Sequence, residues 1–386
     1  MNRIWAVRFT IVVLSICLMG LVLGSSRLLT FSRSDVLRSS TPSSVYLNKV
    51  AEVPFKSDRP GGTDLTAIAW SPTAQKVAIA FDWGHQIAVF DTSNWHEISR
   101  IKRRTLDPHN IVAFLSDSEI VAAPSENTLD GPPLSLYDSD TGRLIGEIPR
   151  PPNFVRHTTT DVVITGSRKF IVTREGLHDT ALFEARTGRF VGPLATPSNT
   201  STGVVAGGPG DKVAADAVHF GAGASSNVRK AIYLIDTSTN TVEKTISEGH
   251  IPDVGAIAWA PDGRLIASGA SMMGTRSPKD NVNRDPDPIR VWDVSTGALV
   301  ASFVAFAEPV RGISWHPSSM FFATNSAIDR EERGAAIRLW SVAQRKMIFE
   351  HKTSRPPLVM SFDPRMGRLA IGLDSTLQVF EVLGVR

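Results

Sequence analysis

The sequence predicts an all-β fold: a seven-bladed β-propeller of four-stranded antiparallel blades, preceded by an N-terminal apolar helix. Three observations carry that prediction. A third-strand ending recurs seven times, a first-strand ending recurs in step with it, and the last unit lacks one strand while the start of the domain has one to spare.

Residues 249–299 hold the fullest copy of the repeat. "GAIAWAP" and "RLIASGA" are short strands, alternating or wholly apolar. Asp262-Gly263 between them is the dipeptide expected of a two-residue hairpin, because both residues tolerate positive φ. "IRVWDV" is a third strand, rich in β-branched and aromatic side chains. Ser295-Thr296-Gly297 turns the chain, and "ALVASF" is the fourth.

The third-strand ending appears as IAVFDT, LSLYDS, ALFEAR, IYLIDT, IRVWDV, IRLWSV and LQVFEV. It places Asp91, Asp138, Glu184, Asp236, Asp293, Ser341 and Glu381 at equivalent positions. The first-strand ending appears as IAWSP, IAWAP, ISWHP and MSFDP, closing at Pro72, Pro261, Pro317 and Pro364. Trp70 and Trp259 are 189 residues apart, four repeats of about 47, and weaker copies fall near Phe114, Ile164 and Val205. The seventh unit has "PLVMSF", "RLAIGL" and "LQVFEVLG", and no fourth strand follows. "SVYLNKVAEV" at 44–53 is a strand without a partner of its own. The expectation is that 44–53 completes the last blade and so removes an open edge.

The unit resembles the WD-repeat family. Gly249-His250 stands at the family's GH pair, Trp292-Asp293 at its WD pair, and Pro261-Asp262-Gly263 at its first hairpin. The resemblance implies a hydrogen-bonded brace within the blade, to which His250, Ser268 and Trp292 correspond, with Asp293 completing the WD pair. The brace's own Asp falls in a turn occupied by an insertion, where Asp285 or Asp287 would supply it. It also implies an interaction scaffold rather than an enzyme.

Residues 9–24 are almost wholly apolar. Arg3 and Arg8 precede or interrupt the run, and Arg8 can snorkel. Residues 1–24 are therefore a membrane anchor or a signal peptide. The length, and Val22-Leu23-Gly24 in place of an Ala-x-Ala site, favour an anchor through residues 4–24. Ile16 before Cys17 does not fit a lipoprotein site. The short leading segment favours a single-pass protein with the propeller on the extracytoplasmic side, or a secreted or periplasmic one if the segment is cleaved. Residues 25–43 are serine-rich and aperiodic, a flexible tether; residues 44–386 form the propeller.

The single cysteine, Cys17, lies in the apolar run, so the folded part has no disulfide, cysteine metal site or cysteine nucleophile. A net charge of +3 over 386 residues points to no nucleic acid. The chain contains no G-x-S-x-G, H-E-x-x-H or P-loop motif. Gly207-Gly208-Pro209-Gly210 falls at a turn between strands, without the helix a phosphate cradle needs. No cofactor is expected.

Loop lengths are uneven. The link between second and third strands is long in four units, at 124–133, 219–230, 271–288 and 326–335. These links share one face of a propeller, and repeat proteins place binding surfaces where insertions gather. The candidate binding face comprises Arg276, Lys279, Arg284, Asp285 and Asp287, with Arg330, Glu331, Glu332 and Arg333 on the adjacent blade. The partner is a protein whose identity the residues do not name. The alternative is a propeller enzyme or small-ligand binder of lactonase type, with its site in the central channel. A basic run, Arg100 to Arg104, reads as a charged outer strand edge.

Overall fold

The computed structural model describes residues 45–57, 65–81, 86–102, 112–123, 134–149, 159–175, 179–197, 200–219, 229–247, 254–270, 289–303, 310–326, 335–353, 357, 359–373 and 375–385. The expected N-terminal helix, the tether and residues 4–24 lie outside the described residues. Among the described residues, no helix is long and apolar enough to cross a membrane.

The described strands form seven four-stranded antiparallel sheets. Blade 1 is β2 (Leu65–Trp70), β3 (Lys76–Phe81), β4 (Gln86–Asp91) and β5 (Glu97–Lys102). Blade 2 is β6 (Val112–Phe114), β7 (Glu119–Ala122), β8 (Leu134–Asp138) and β9 (Leu144–Ile148). Blade 3 is β10 (Thr159–Ile164), β11 (Phe170–Glu175), β12 (Asp179–Glu184) and β13 (Phe190–Pro193). Blade 4 is β14 (Thr200–Gly207), β15 (Lys212–His219), β16 (Arg229–Asp236) and β17 (Thr241–Ile246). Blade 5 is β18 (Val254–Trp259), β19 (Leu265–Ala270), β20 (Ile289–Asp293) and β21 (Leu299–Phe303). Blade 6 is β22 (Val310–Trp315), β23 (Phe321–Ser326), β24 (Ala335–Ser341) and β25 (Lys346–Thr353). Blade 7 takes β26 (Val359–Phe362), β27 (Leu369–Leu373) and β28 (Thr376–Leu383) from one end of the domain and β1 (Tyr46–Pro54) from the other.

β1 pairs antiparallel with β28 from Tyr46↔Leu383 to Pro54↔Thr376. It supplies the strand that the seventh unit lacks. The inner strands form a closed ring of neighbours, β2–β6–β10–β14–β18–β22–β26 and back to β2. The apolar core is divided into seven clusters, one per blade interface. Phe81, Trp70 and Leu377 join blades 1 and 7. Trp292, Ile257 and Leu234 join blades 4 and 5. A single blade buries only one of its faces against each neighbour, so none is stable alone.

Two recurring turns follow from the repeat. Between third and fourth strands, one residue takes a positive φ in each of the first six blades: Trp95, Gly142, Gly188, Asn240, Gly297 and Arg345. A register shift accompanies it, as at Val291/Trp292 and Leu339/Trp340. This is the extra residue of a bulge, which strengthens strand twist. The acidic side chain that ends the third strand holds the turn. Asp293 Oδ1 accepts from Thr296 N–H at 2.8 Å and from Ser295 Oγ at 2.6 Å, and Asp138 Oδ1 from Thr141 N–H at 2.8 Å. These bonds hold the Asp293 carboxyl down at about 2. In blades 1 to 5 the acidic position therefore recurs with a turn that its side chain closes.

The turn between first and second strands corrects one expectation. Asp262-Gly263 is not a two-residue hairpin. Gly263 alone has positive φ (75°), its N–H donates to Ala260 O at 2.9 Å, and Ala260 N–H donates to Leu265 O at 2.8 Å. A two-residue type I′ turn needs positive φ at both residues. Pro261, with φ fixed near −65°, instead starts a type I turn inside a longer loop.

Removing residues 1–54 should leave β28 with an open edge and blade 7 with three strands. The expected result is earlier thermal unfolding and aggregation on size-exclusion chromatography, whereas removing residues 1–40 leaves both unchanged. Equal behaviour of the two proteins would contradict the structural role of β1.

Candidate functional site

All nine residues of the candidate binding face, Arg276, Lys279, Arg284, Asp285, Asp287, Arg330, Glu331, Glu332 and Arg333, lie outside the described residues, as does His250. The strands that carry those segments are described. Residues 271–288 join β19 to β20 and 327–334 join β23 to β24, on adjacent blades. In an antiparallel blade these links leave the same end as the links from blade to blade. The first-to-second and third-to-fourth turns leave the opposite end.

The predicted brace is present where it is described. Trp292 is 1% exposed, and its Nε1–H donates to the fully buried Ser268 Oγ at 2.9 Å. Register explains the contact: Trp292 faces Ile266 across the ladder, which puts Ser268 two residues along on the same side. Blade 6 repeats it, with Trp340 Nε1–H donating to Thr324 Oγ1 at 2.8 Å. This second brace was not expected from the sequence; the Trp of IRLWSV was the signal that could have found it. Blade 3 has the same register, Ile171 opposite Phe183, with Thr173 in the place of Ser268. Phe183 has no indole N–H to give, and the buried Thr173 Oγ1 has no partner among the described residues.

The tryptophans ending the first strands tie blades to one another. Trp70 Nε1–H donates to Ser361 O at 3.2 Å and Trp315 Nε1–H to Ala258 O at 3.0 Å, each in the preceding blade. Trp259 lies instead against Gly208, where a Cβ would come within 2.7 Å of its ring. The glycine-rich turn 207–210 is thus shaped by close packing, of Gly208 against Trp259 of blade 5 and of Gly207 against Ile164 of blade 3.

The turn end forms a continuous ring of contacts. Thr73 Oγ1 donates to Asp117 at 2.7 Å, Arg168 Nη1 to Phe114 O at 2.5 Å, and Gly166 N–H to Gly208 O at 2.8 Å. Gly263 packs on Pro209, and Asp262 N–H donates to Ser319 Oγ at 3.0 Å. Gly367 lies against the His316 ring, and Arg365 Nε donates to Pro72 O at 3.2 Å. His316 also stacks on Phe321 and bonds Ser318, and burial pulls its imidazole down to about 4 despite Asp363. It is neutral at neutral pH.

Arg100 does not read as a free edge charge. It pairs with Glu97 and bonds Gln86 Oε1 at 2.9 Å while lying over Phe81. Among titrating groups, burial pushes the Asp161 carboxyl up to about 6 against the pull of Arg174, its cross-strand partner. Among the described residues, no three His, Cys, Asp or Glu side chains converge as a metal site.

Ser268→Ala and Thr324→Val should each lower stability by about 1–3 kcal/mol, because a buried indole N–H is left unpaired. Thr173→Val should be neutral or stabilising, since it removes an unpaired hydroxyl. Chemical denaturation of the three variants checks the contrast.

Comparison with known proteins adds to this geometry. The WD40 family (WD domain, G-beta repeat) matches residues 241–273. The chain is also 32% identical over 109 residues to a subunit of the chromatin assembly factor 1 of Mus musculus. That match covers 28% of this chain and 15% of the relative's length. With the seven closed blades and the brace, these matches make the chain a WD-repeat-like seven-bladed β-propeller protein.

Proposed function

We propose that this chain is a non-catalytic protein-interaction scaffold that presents its insertion-bearing face to a partner. The observation that carries the proposal is the division of labour between the two ends of the propeller. One end is tied by the ring of turn contacts. The other carries the long, unequal links at 124–133, 220–228, 271–288 and 327–334. Variable links on a rigid scaffold are where repeat proteins recognise partners. WD-repeat propellers generally bind proteins, and the matched relative is by name part of an assembly factor, which supports the same class of function. We further propose that residues 4–24 hold the protein in a membrane with the propeller on the extracytoplasmic side. The support is the apolar run 9–24 and the short segment before it.

Shortening 272–287 to a tight turn should spare folding, because loop length changes stability by only about 0.6 kcal/mol per doubling. The same change should abolish capture of the partner, and removing 328–333 should weaken it. Ala298→Glu, on the opposite end, should leave capture intact. Full capture by both loop-deleted proteins would refute the assignment of this face.

Membrane topology has its own check. A reporter active only after export, fused after Arg386, should be active, and one active only in the cytosol should be silent. The reverse pattern would place the propeller in the cytosol.

A further inference from the structure

The turn end of blades 6 and 7 differs from the rest of its ring. In blades 1 to 5 the third strand ends in Asp91, Asp138, Glu184, Asp236 or Asp293. Blade 6 has Ser341 there, and its Oγ accepts from Gln344 N–H at 3.2 Å. Arg345 and Lys346 follow in that turn, exposed, with no ion pair among the described residues. By contrast, Lys76 pairs with Asp140 at 2.7 Å, Lys212 with Asp236 at 2.7 Å, and Arg189 with Glu184. On blade 7 the exposed Arg365 gives its backbone N–H to Asp363 Oδ1 at 2.7 Å, while its guanidinium donates to Pro72 O and, among the described residues, to no carboxylate. Glu381 is the one exposed carboxylate among the described residues at this end of blade 7.

The same place gathers apolar surface. Met320, Met347 and Met366 are 50%, 42% and 61% exposed, and they are the exposed methionines among the described residues. Met320 precedes Phe321, whose ladder partner Ser341 also pairs with Lys346, so Met320 and the two basic residues share one end of blade 6. Met366 stands in the turn whose Gly367 packs on His316 of blade 6. The turn before Met320 and the turn that carries Met366 are thereby held together.

We propose that this end of blades 6 and 7 is a second docking surface, for an acidic segment with apolar side chains contributed by a partner protein. The methionines offer flexible, polarizable contacts that adapt to leucine- or phenylalanine-like side chains. Arg345, Lys346 and Arg365 supply the charge that selects carboxylates and steers their approach. The surface lies at the opposite end from the insertions. It deepens the interaction-scaffold function without depending on the insertion-bearing face.

The test uses the full propeller and a fluorescein-labelled synthetic peptide of glutamates and leucines, compared with its lysine–leucine counterpart by fluorescence anisotropy. The glutamate peptide should bind roughly ten-fold more tightly or better, and rising salt should weaken it. Arg345→Glu with Lys346→Glu should abolish the preference, and Met320→Ser with Met366→Ser should weaken binding. The protein shortened at 272–287 should bind this peptide unchanged, which separates failure of this proposal from failure of the insertion face. If the charge-reversed protein unfolds, Lys346→Gln and Met366→Ser, made singly, carry the same test. Equal binding of the two peptides overturns the proposal. So does wild-type affinity in the folded variants, or dependence on Arg345 and Lys346 for phosphatidylserine vesicles or an RNA oligonucleotide but not for the peptide.

Discussion

The fold depends on closing the circle between blades 7 and 1. Every other interface joins blades that are consecutive in sequence; this one joins the two ends of the domain. Two interactions make it. The β1–β28 ladder completes the outer part of blade 7. At the turn end, the nearly buried Arg368 pairs with the fully buried Asp363 at 2.7 Å, reaches Ala74 O at 3.2 Å, and lies 5.2 Å from the Trp70 ring and 5.6 Å from that of Trp95. A guanidinium suits this site because its planar fork serves a carboxylate and a carbonyl while its face covers indole. Breaking such a pair from one side leaves a charge stranded out of water, at a cost of about 3–5 kcal/mol.

Closure explains why the remaining interfaces tolerate so much variation. The brace is complete in blades 5 and 6 as far as Trp and Ser or Thr go, and lacks its donor in blade 3. Tryptophan ends the first strand in blades 1, 5 and 6, whereas phenylalanine does in blade 7. Each blade keeps the shape of the repeat through its ladder, its bulged third turn and its share of the apolar core. Once neighbours on both sides are in place, the loss of one hydrogen bond, worth about 1 kcal/mol, is absorbed.

The same economy separates the two ends of the propeller. At the turn end, space is short enough that Gly207 and Gly208 are needed where Ile164 O and Trp259 approach. Long insertions have no room among such contacts. The opposite end takes insertions freely, because a longer surface loop adds little to the entropy of closure. A face that tolerates length is free to vary for recognition. The tied face holds its turns in place through contacts between blades.

The repeat, the number of blades and the strand that closes them were legible in the sequence, because each rests on local pattern: apolar alternation, a terminal Trp, an acidic turn residue and a missing strand. The Ser268–Trp292 contact was expected from the resemblance to WD repeats, and the ladder register is what puts the two side chains on one face. The geometry of the Asp262-Gly263 turn was misread, because the dipeptide permits several turns and the loop length is set by how Ala260 and Leu265 pair. Nothing local announced that Arg368 would bridge to residues nearly 300 positions away, that Gly207 would admit Ile164 O of one neighbouring blade and Gly208 the Trp259 ring of the other, or that the turn bearing Met366 would pack on His316 of blade 6. Those are contacts between blades, made when the ring closes and places turns from separate repeats side by side.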